Sequence, residues 1–240
     1  MQDACALQFT GGRDSTLTAI RLIEADAVKS LHLLTFQTDL TAETEAVLKN
    51  VNKLQVFFAG CCTINHHFIN TNDLLRHLVQ DEYFLDVWKY KTYKISTFCP
   101  SCRLSHHANT IIFCKRNHLG HAADGVNELT GFDLFQQSWA VEKIKELYAF
   151  FGIQYETPLL HSNISSEILL EKYNRENNLD IPFFESQPKC LGGGQFHNIY
   201  LRCYYLPLYG KDKYIEISKR WIDDKMPIVK DYIQKRILGG

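Results

Sequence analysis

Apolar positions in the first half of the chain fall into short runs separated by stretches of helical periodicity. Ala4–Phe9 predicts a strand, Ser15–Glu24 a helix, Leu31–Phe36 a second strand, Ala42–Lys53 a helix and Gln55–Ala59 a third strand. Leu119–Ala123 predicts a fourth strand, Trp139–Phe151 an amphipathic helix, and Gln154–Glu156 a fifth strand that leaves through Pro158-Leu159. Strands alternating with helices imply parallel βαβ units with right-handed crossovers, hence an α/β protein with an open parallel sheet. Ligands of such sheets bind beyond the carboxyl ends of the strands. Thr10–Ser15, Thr35–Thr38, Cys61–Thr63, Asp124-Gly125 and Pro158–His161 are therefore expected to line one cleft.

Between the third and fourth strands lies Ile64 to Asn117, expected to be a mainly helical insertion because it is too long for a structureless loop. A helix is expected from Ser165 to about Glu176, then an irregular segment, Ile181–Gly194. The tail, Tyr200–Gly240, reads as a strand-like apolar piece followed by a helix around Lys225–Arg236. The division that follows is 1–194 as a nucleotide-binding domain with an insertion at about 64–117, and 195–240 as a C-terminal appendage.

Composition narrows the class. The chain has 240 residues, 45% hydrophobic and 22% charged, enough for a sizeable core. Apolar stretches fall short of the about 20 residues that span a bilayer, and Met1-Gln2-Asp3 lacks the basic region and apolar core of a signal peptide. A cytoplasmic protein without a membrane partner is expected. Its eight cysteines then point to metal binding or catalysis rather than to a disulfide framework. A net charge of −1 argues against extensive phosphate contacts. Locally, Trp88-Lys89-Tyr90-Lys91-Thr92-Tyr93-Lys94 has the composition of a surface that stacks bases, or of an element edge with snorkelling lysines.

Candidate chemistry begins at Phe9-Thr10-Gly11-Gly12-Arg13-Asp14-Ser15-Thr16, where the first strand gives way to the first helix. Gly11 and Gly12 let backbone N–H groups approach an anion, and the helix beginning at Ser15 and Thr16 favours the same anion through its free N–H groups and dipole. Asp14 offers a carboxylate suited to Mg²⁺ and Thr10 a hydroxyl donor. The Gly-x4-Gly-Lys-[Ser/Thr] spacing of the kinase-type phosphate loop is absent. A second candidate site consists of Cys99 and Cys102, spaced Cys-x-x-Cys ahead of a helical run, and Cys190, beside Gly192-Gly193-Gly194. Cys203 and His106 are candidate fourth ligands if the metal is zinc. Cys5, Cys61, Cys62 and Cys114 read as small core residues, and His66, His67 and His107 as surface or core polar groups.

The loop resembles the PP-loop of the ATP pyrophosphatase superfamily, whose pattern is Ser-Gly-Gly-x-Asp-[Ser/Thr], with Thr10 keeping the hydroxyl of the usual Ser. Ser186-Gln187-Pro188-Lys189-Cys190-Leu191 is similar to the Ser-Gln-x-x-Cys-Phe context of the reactive cysteine in tRNA 2-thiouridylases, and Cys190-Leu191 to the Cys-Leu of nickel-pincer sulfur-insertion enzymes. One subgroup of tRNA thiolases adds a mid-domain Cys-x-x-Cys, and its three cysteines hold a [4Fe–4S] cluster. The resemblance covers roughly Ala4 to Gly194. It implies a Rossmann-like fold of the adenine nucleotide alpha-hydrolase type and an ATP-dependent sulfurtransferase. Such an enzyme adenylates a substrate carbonyl oxygen, releases pyrophosphate and replaces oxygen by sulfur.

On that resemblance Thr10, Gly11, Gly12, Ser15 and Thr16 hold phosphates, Asp14 orients Mg²⁺, and Thr35 and Phe36 are candidates for the adenosine. Asp124 stands where the family often carries an acidic residue near the reacting groups, although its Gly-His-His-x-Asp-Asp wording is absent. Cys99, Cys102 and Cys190 become ligands of the cluster, with zinc as the alternative, and Asp14, Cys190 and Asp124 the catalytic set. Arg103 would meet a phosphate or the cluster, or else solvent. Expected partners are ATP, a sulfur donor, and either tRNA or a small molecule; a homodimer is compatible with this reading. Two other functions stay open: an ATP-dependent amidation and nitrile formation like that of 7-cyano-7-deazaguanine synthase with structural zinc, and a non-enzymatic adenine-nucleotide sensor.

Overall fold

A computed structural model describes residues 3–128, 134–179, 187–191 and 194–239. The chain runs β1 (Ala4–Gln8), α1 (Arg13–Glu24), β2 (Ser30–Gln37), β3 (Thr41–Ala42), α2 (Leu48–Phe57) and β4 (Thr63–Asn70). It continues through α3 (Asn72–Arg76), α4 (Tyr83–Tyr90), α5 (Phe98–Arg116), β5 (His121–Ala123), α6 (Ser138–Phe150) and β6 (Gln154–Glu156). The last elements are α7 (Ser166–Asn177), β7 (Lys189–Cys190), α8 (Gly194–Tyr200) and α9 (Leu206–Leu238).

Five strands form one sheet in the order β4-β2-β1-β5-β6, every neighbouring pair parallel. This is the Rossmann-like open sheet expected. Period-two alternation sends side chains to two separate cores. Cys5, Leu7, Leu31 and Leu33 meet Ile20 and Leu22 of α1, Val51 and Leu54 of α2 and Leu170 of α7. Ala6, Leu34 and Phe36 face the other way, onto Leu104 and Ile111 of α5, Ile144 of α6 and Trp221 of α9. From β1 the chain first builds outward through β2 and β4, then returns to the opposite side of β1 with β5 and β6. Strand order therefore reverses at β1, and the carboxyl ends of β1 and β5 flank the switch point.

Two elements depart from the sequence reading. The third strand of the sheet is not Gln55–Ala59, which belongs to the end of α2 and the turn after it, but Thr63–Asn70. Val47, Val51, Leu54 and Phe58 are buried at helical spacing while Val56 is exposed, so burial follows the 3.6-residue period through this run. Gly60, at φ +82°, then reverses the chain into β4. The stretch 64–117 thus opens with a sheet strand, and only its remainder is helical. In the tail, the expected strand-like piece is also helical. Tyr214, Ser218, Trp221, Ile222, Lys225, Val229 and Ile233 lie buried along one face of α9, which is kinked at Gly210. Leu201, Tyr205 and Trp221 of this C-terminal segment belong to the same core as Ala6 and Leu34. Of the irregular segment Ile181–Gly194, residues 181–186 and 192–193 lie outside the described residues.

Candidate nucleotide-binding site

The loop between β1 and α1 stands at the switch point. Gly11 takes φ +73°, a left-handed conformation that a Cβ would disfavour, and turns the chain sharply into α1. Asn50, buried on α2, donates its side-chain N–H to the Gly11 carbonyl at 2.7 Å and so fixes the orientation of that peptide. Gly12 is the N-cap of α1, and the first helical bond runs from Thr16 N to the Gly12 carbonyl. The N–H groups of Arg13, Asp14 and Ser15 therefore precede the first intrahelical bond and form a donor cluster at the positive end of the helix dipole. Within the loop, Gly12 N donates to Thr10 Oγ1 at 3.3 Å, and the Ser15 hydroxyl donates to the Gly12 carbonyl at 3.2 Å.

Thr10, Asp14, Ser15, Phe36, Asp124, Gly125 and Arg103 are among the walls of a cleft of about 140 Å³. Gly125 is pressed against the first turn of α1: a Cβ there would lie 2.8 Å from Asp14 C and Ser15 N. Asp124, after β5, is buried; its Oδ1 accepts from Val126 N at 2.7 Å, and its Oδ2 lies 3.6 Å from Arg103 Nη2. Arg103 comes from the first turns of α5 and brings a guanidinium to the mouth of the loop, an arrangement suited to polyphosphate. His106, one turn further, stacks on Phe36 with ring centroids 4.3 Å apart and planes 8° from parallel. Burial, assisted by Arg103, lowers the His106 pKa to about 3, so the imidazole is neutral and extends the flat apolar surface of Phe36. Gln8, at the floor, sends its side-chain nitrogen to His107 Nδ1 at 2.8 Å. Its oxygen is buried with no hydrogen-bond partner among the described residues, an acceptor ready for a ligand donor.

The expected residues divide accordingly. Thr10, Asp14, Ser15, Phe36 and Asp124 come together in the cleft, with Gly11 and Gly12 shaping its loop. Thr16 is buried in α1. Thr35 is buried too, and its hydroxyl donates to the Phe9 carbonyl at 2.8 Å and lies 2.8 Å from His66 Nε2, which turns it away from the cleft. Cys61–Thr63 leads into the amino end of β4, the opposite edge from the site, because the strand is β4 and not Gln55–Ala59. Pro158–His161 follows β6 but is absent from the cleft wall; the Pro158 carbonyl accepts from Arg21 instead. Gln8, Gln136 and Val126 complete the walls without any sequence motif to mark them. In the aromatic and lysine run, Trp88 is exposed, whereas Tyr90, Tyr93 and Lys94 are buried.

Cysteines 99 and 102 begin α5, partly buried, and Cys102 Sγ lies 3.4 Å from His106 Nε2. Cys190 is exposed on β7, whose antiparallel partner is β3, Thr41 standing opposite Cys190. Leu40 links the two regions: its carbonyl accepts from Leu191 N at 2.8 Å, and it shares a second cavity with Phe98. Among the described residues, however, no group of three or more His, Cys, Asp or Glu side chains is arranged to hold a metal ion. Cys99, Cys102 and Cys190 thus do not form a three-thiolate centre. Asp14 and Asp124 give the cleft oxygen donors of the kind Mg²⁺ prefers.

Fold and loop together define a class, a doubly wound parallel α/β protein with a glycine-bearing strand-to-helix loop at its switch point. No protein-family model and no curated protein matches the chain. Among solved structures it is similar to a predicted subunit of tRNA methyltransferase from Methanocaldococcus jannaschii, at 14% identity and TM-score 0.46, over 79% of this chain and 96% of that one. It is also similar to the U34-tRNA thiolase NcsA from Methanococcus maripaludis with its [4Fe–4S] cluster, at 16% identity and TM-score 0.46, over 92% and 73%. A 4-thiouridine synthetase in complex with RNA and bound ATP matches at 15% identity and TM-score 0.48, over 96% of this chain and 53% of that one.

Proposed function

We propose that the cleft binds ATP with Mg²⁺ and transfers adenylate to a substrate carbonyl oxygen, releasing pyrophosphate, in preparation for replacement of that oxygen by sulfur. The observation that carries this reading is the convergence of the Gly11-Gly12 loop, Asp14, Asp124 and Arg103 at the switch point of the sheet. The donors of the loop and of the first turn of α1 face the phosphates, and Arg103 answers charge that develops on the departing pyrophosphate. Asp14, with Asp124 nearby, would hold Mg²⁺, which when bound neutralises phosphate charge. The Phe36 and His106 surface suits a stacked base, with Gln8 offering its buried acceptor to a donor on the ligand.

In the first step the substrate oxygen bonds to the α-phosphorus while the bond to pyrophosphate breaks. In the second, a sulfur nucleophile bonds to the carbonyl carbon and AMP leaves with the original oxygen. Cys190, exposed on the strand beside Leu40, is the protein thiol we assign to carry that sulfur. A donor persulfide passes it the outer sulfur and leaves as a thiol. After AMP departs, an external dithiol attacks Cys190 Sγ, so that the S–S bond breaks with its electron pair on the product sulfur. Cys190 is left in a disulfide that the second thiol reduces. A three-cysteine cluster would require Cys99, Cys102 and Cys190 to draw together, so the reading runs through Cys190 as a thiol. The sequence resemblance favours tRNA as substrate, while the near-zero net charge favours a small molecule or a short exposed RNA loop. Titration calorimetry with Mg-ATP tests the nucleotide half: tight binding that Asp14→Ala weakens at least tenfold, with the melting temperature kept, is expected. Equal affinity in the variant would remove Asp14 from the site.

A further inference from the structure

Gly12 poses a question that its own backbone does not answer. At φ −79° and ψ 175° it is extended, a conformation open to any residue. A Cβ at position 12 would overlap the terminal amide of Gln187, the far end of a flexible, exposed side chain that lies over Gly12 on that side. The phosphate loop is therefore flanked on one side by a residue from late in the chain. That residue lies three positions before Cys190, and the same short segment is tied to a second place in the fold. Cys190 and Lys189 pair with Thr41 and Ala42, Leu191 N donates to the Leu40 carbonyl at 2.8 Å, and Lys189 Nζ meets Glu43 Oε1 at 2.7 Å. One end of the segment thus rests on the loop after β1 and the other on the connection after β2.

We propose that Gln187 is a positioning residue that couples occupancy of the phosphate loop to the placement of Cys190. This inference rests on the nucleotide-binding reading of the cleft. The geometry supplies its logic. A phosphate seated on the N–H donors of the first turn of α1 would lie beside the Gln187 amide, a neutral group whose N–H₂ donates to an anionic oxygen. That bond fixes the amide, and through Pro188 and Lys189 it restricts Cys190 against β3. In an empty loop the amide packs on Gly12 without a phosphate to hold it, and the thiol, already exposed, stays open to reagents. Loading of nucleotide would in this way precede and prepare presentation of the sulfur-bearing thiol.

The test reads the alkylation rate of Cys190 by iodoacetamide, followed by peptide mass spectrometry, with and without a non-hydrolysable Mg-ATP analogue. Exposed Cys61 and Cys203 serve as internal references. In the wild type the analogue is expected to slow Cys190 about fivefold or more, the lower range of coupling between linked sites, and to leave the references unchanged. Gln187→Ala is expected to bind the analogue more weakly and, at concentrations that saturate the variant by calorimetry, to show no slowing, and Gln187→Glu to weaken binding further through repulsion of phosphate. Slowing that persists undiminished in Gln187→Ala, or Cys190 indifferent to a bound analogue in the wild type, overturns the coupling and leaves the nucleotide site standing. Failure of the analogue to bind wild type, measured separately by calorimetry, overturns the site reading and the coupling with it.

Discussion

Gly11 and Gly12 are neighbours, yet a side chain would meet different obstacles at each. Gly11 needs its φ of +73°, whereas at Gly12 a Cβ would only displace the flexible Gln187 amide. Substitutions separate the two. Gly11→Ala is expected to cost about 1–2 kcal/mol of stability, the penalty of a Cβ in the left-handed region. Gly12→Ala is expected to leave the melting temperature within a few degrees but weaken Mg-ATP binding, because the displaced Gln187 opens one side of the loop. Paired melts and titrations decide, and a large loss of stability in Gly12→Ala would contradict this division. Asn50→Ala removes the bond to the Gly11 carbonyl and should cost about 1–3 kcal/mol, since it leaves a buried acceptor unpaired. The loop, Asp14 and Asp124 were legible in the sequence because a strand, a glycine turn and a helix start are local events. Gln8, Gln136 and the stacking of His106 on Phe36 were not, because they depend on how α5 lies across the sheet. Arg103 was visible as a candidate, but only the ion pair with Asp124 gives it a place.

Among the elements, α2 and β4 show where reading by local pattern breaks down. Gln55-Val56-Phe57-Phe58 is apolar and short, and such a run fits a strand or the end of a helix equally well. The deciding information is the spacing of Val47, Val51, Leu54 and Phe58 across a longer window. Thr63–Asn70 escaped because it is an edge strand: it pairs with β2 over its whole length, yet it mixes His66, His67 and Asn65 with Ile64 and Ile69. The α4 and α9 helices are joined by a buried charge cluster. Asp86 accepts from Lys225 Nζ at 2.6 Å and from Lys94 Nζ at 3.1 Å, all three side chains being buried. Asp86→Ala would take the carboxylate from buried Lys94 and leave Lys225 with Glu82 at 3.6 Å, and is expected to cost about 3–5 kcal/mol, read from urea unfolding. A loss below about 1 kcal/mol would mean that the lysines reach water once Asp86 is gone.

For the molecule as a whole, the reversal of strand order at β1 explains why residues from positions 8 to 136 share one cleft. The same packing keeps several imidazoles uncharged. Burial, first, and the neighbouring His67 lower His66 to about 4, and burial with Arg103 lowers His106 to about 3. His107 is pushed well below its ordinary value, again mainly by burial. These groups bind protons more readily in the unfolded chain, where the pKa is near 6.5, so folding is favoured above that pH. Stability is therefore expected to fall as pH drops from about 6.5 through 4, and His66→Gln should flatten part of that slope in pH-dependent melts. A profile unchanged by the substitution would show that His66 does not govern the acid limb.

The central claim, that the cleft cleaves ATP between its α- and β-phosphates, has a direct measurement. Phosphorus NMR of Mg-ATP incubated with the protein, in the presence of bulk tRNA, a pool of small carbonyl compounds and a sulfide source, identifies the products whichever of these is the substrate. The account predicts AMP and pyrophosphate, lost in Asp14→Ala. ADP and orthophosphate would contradict it.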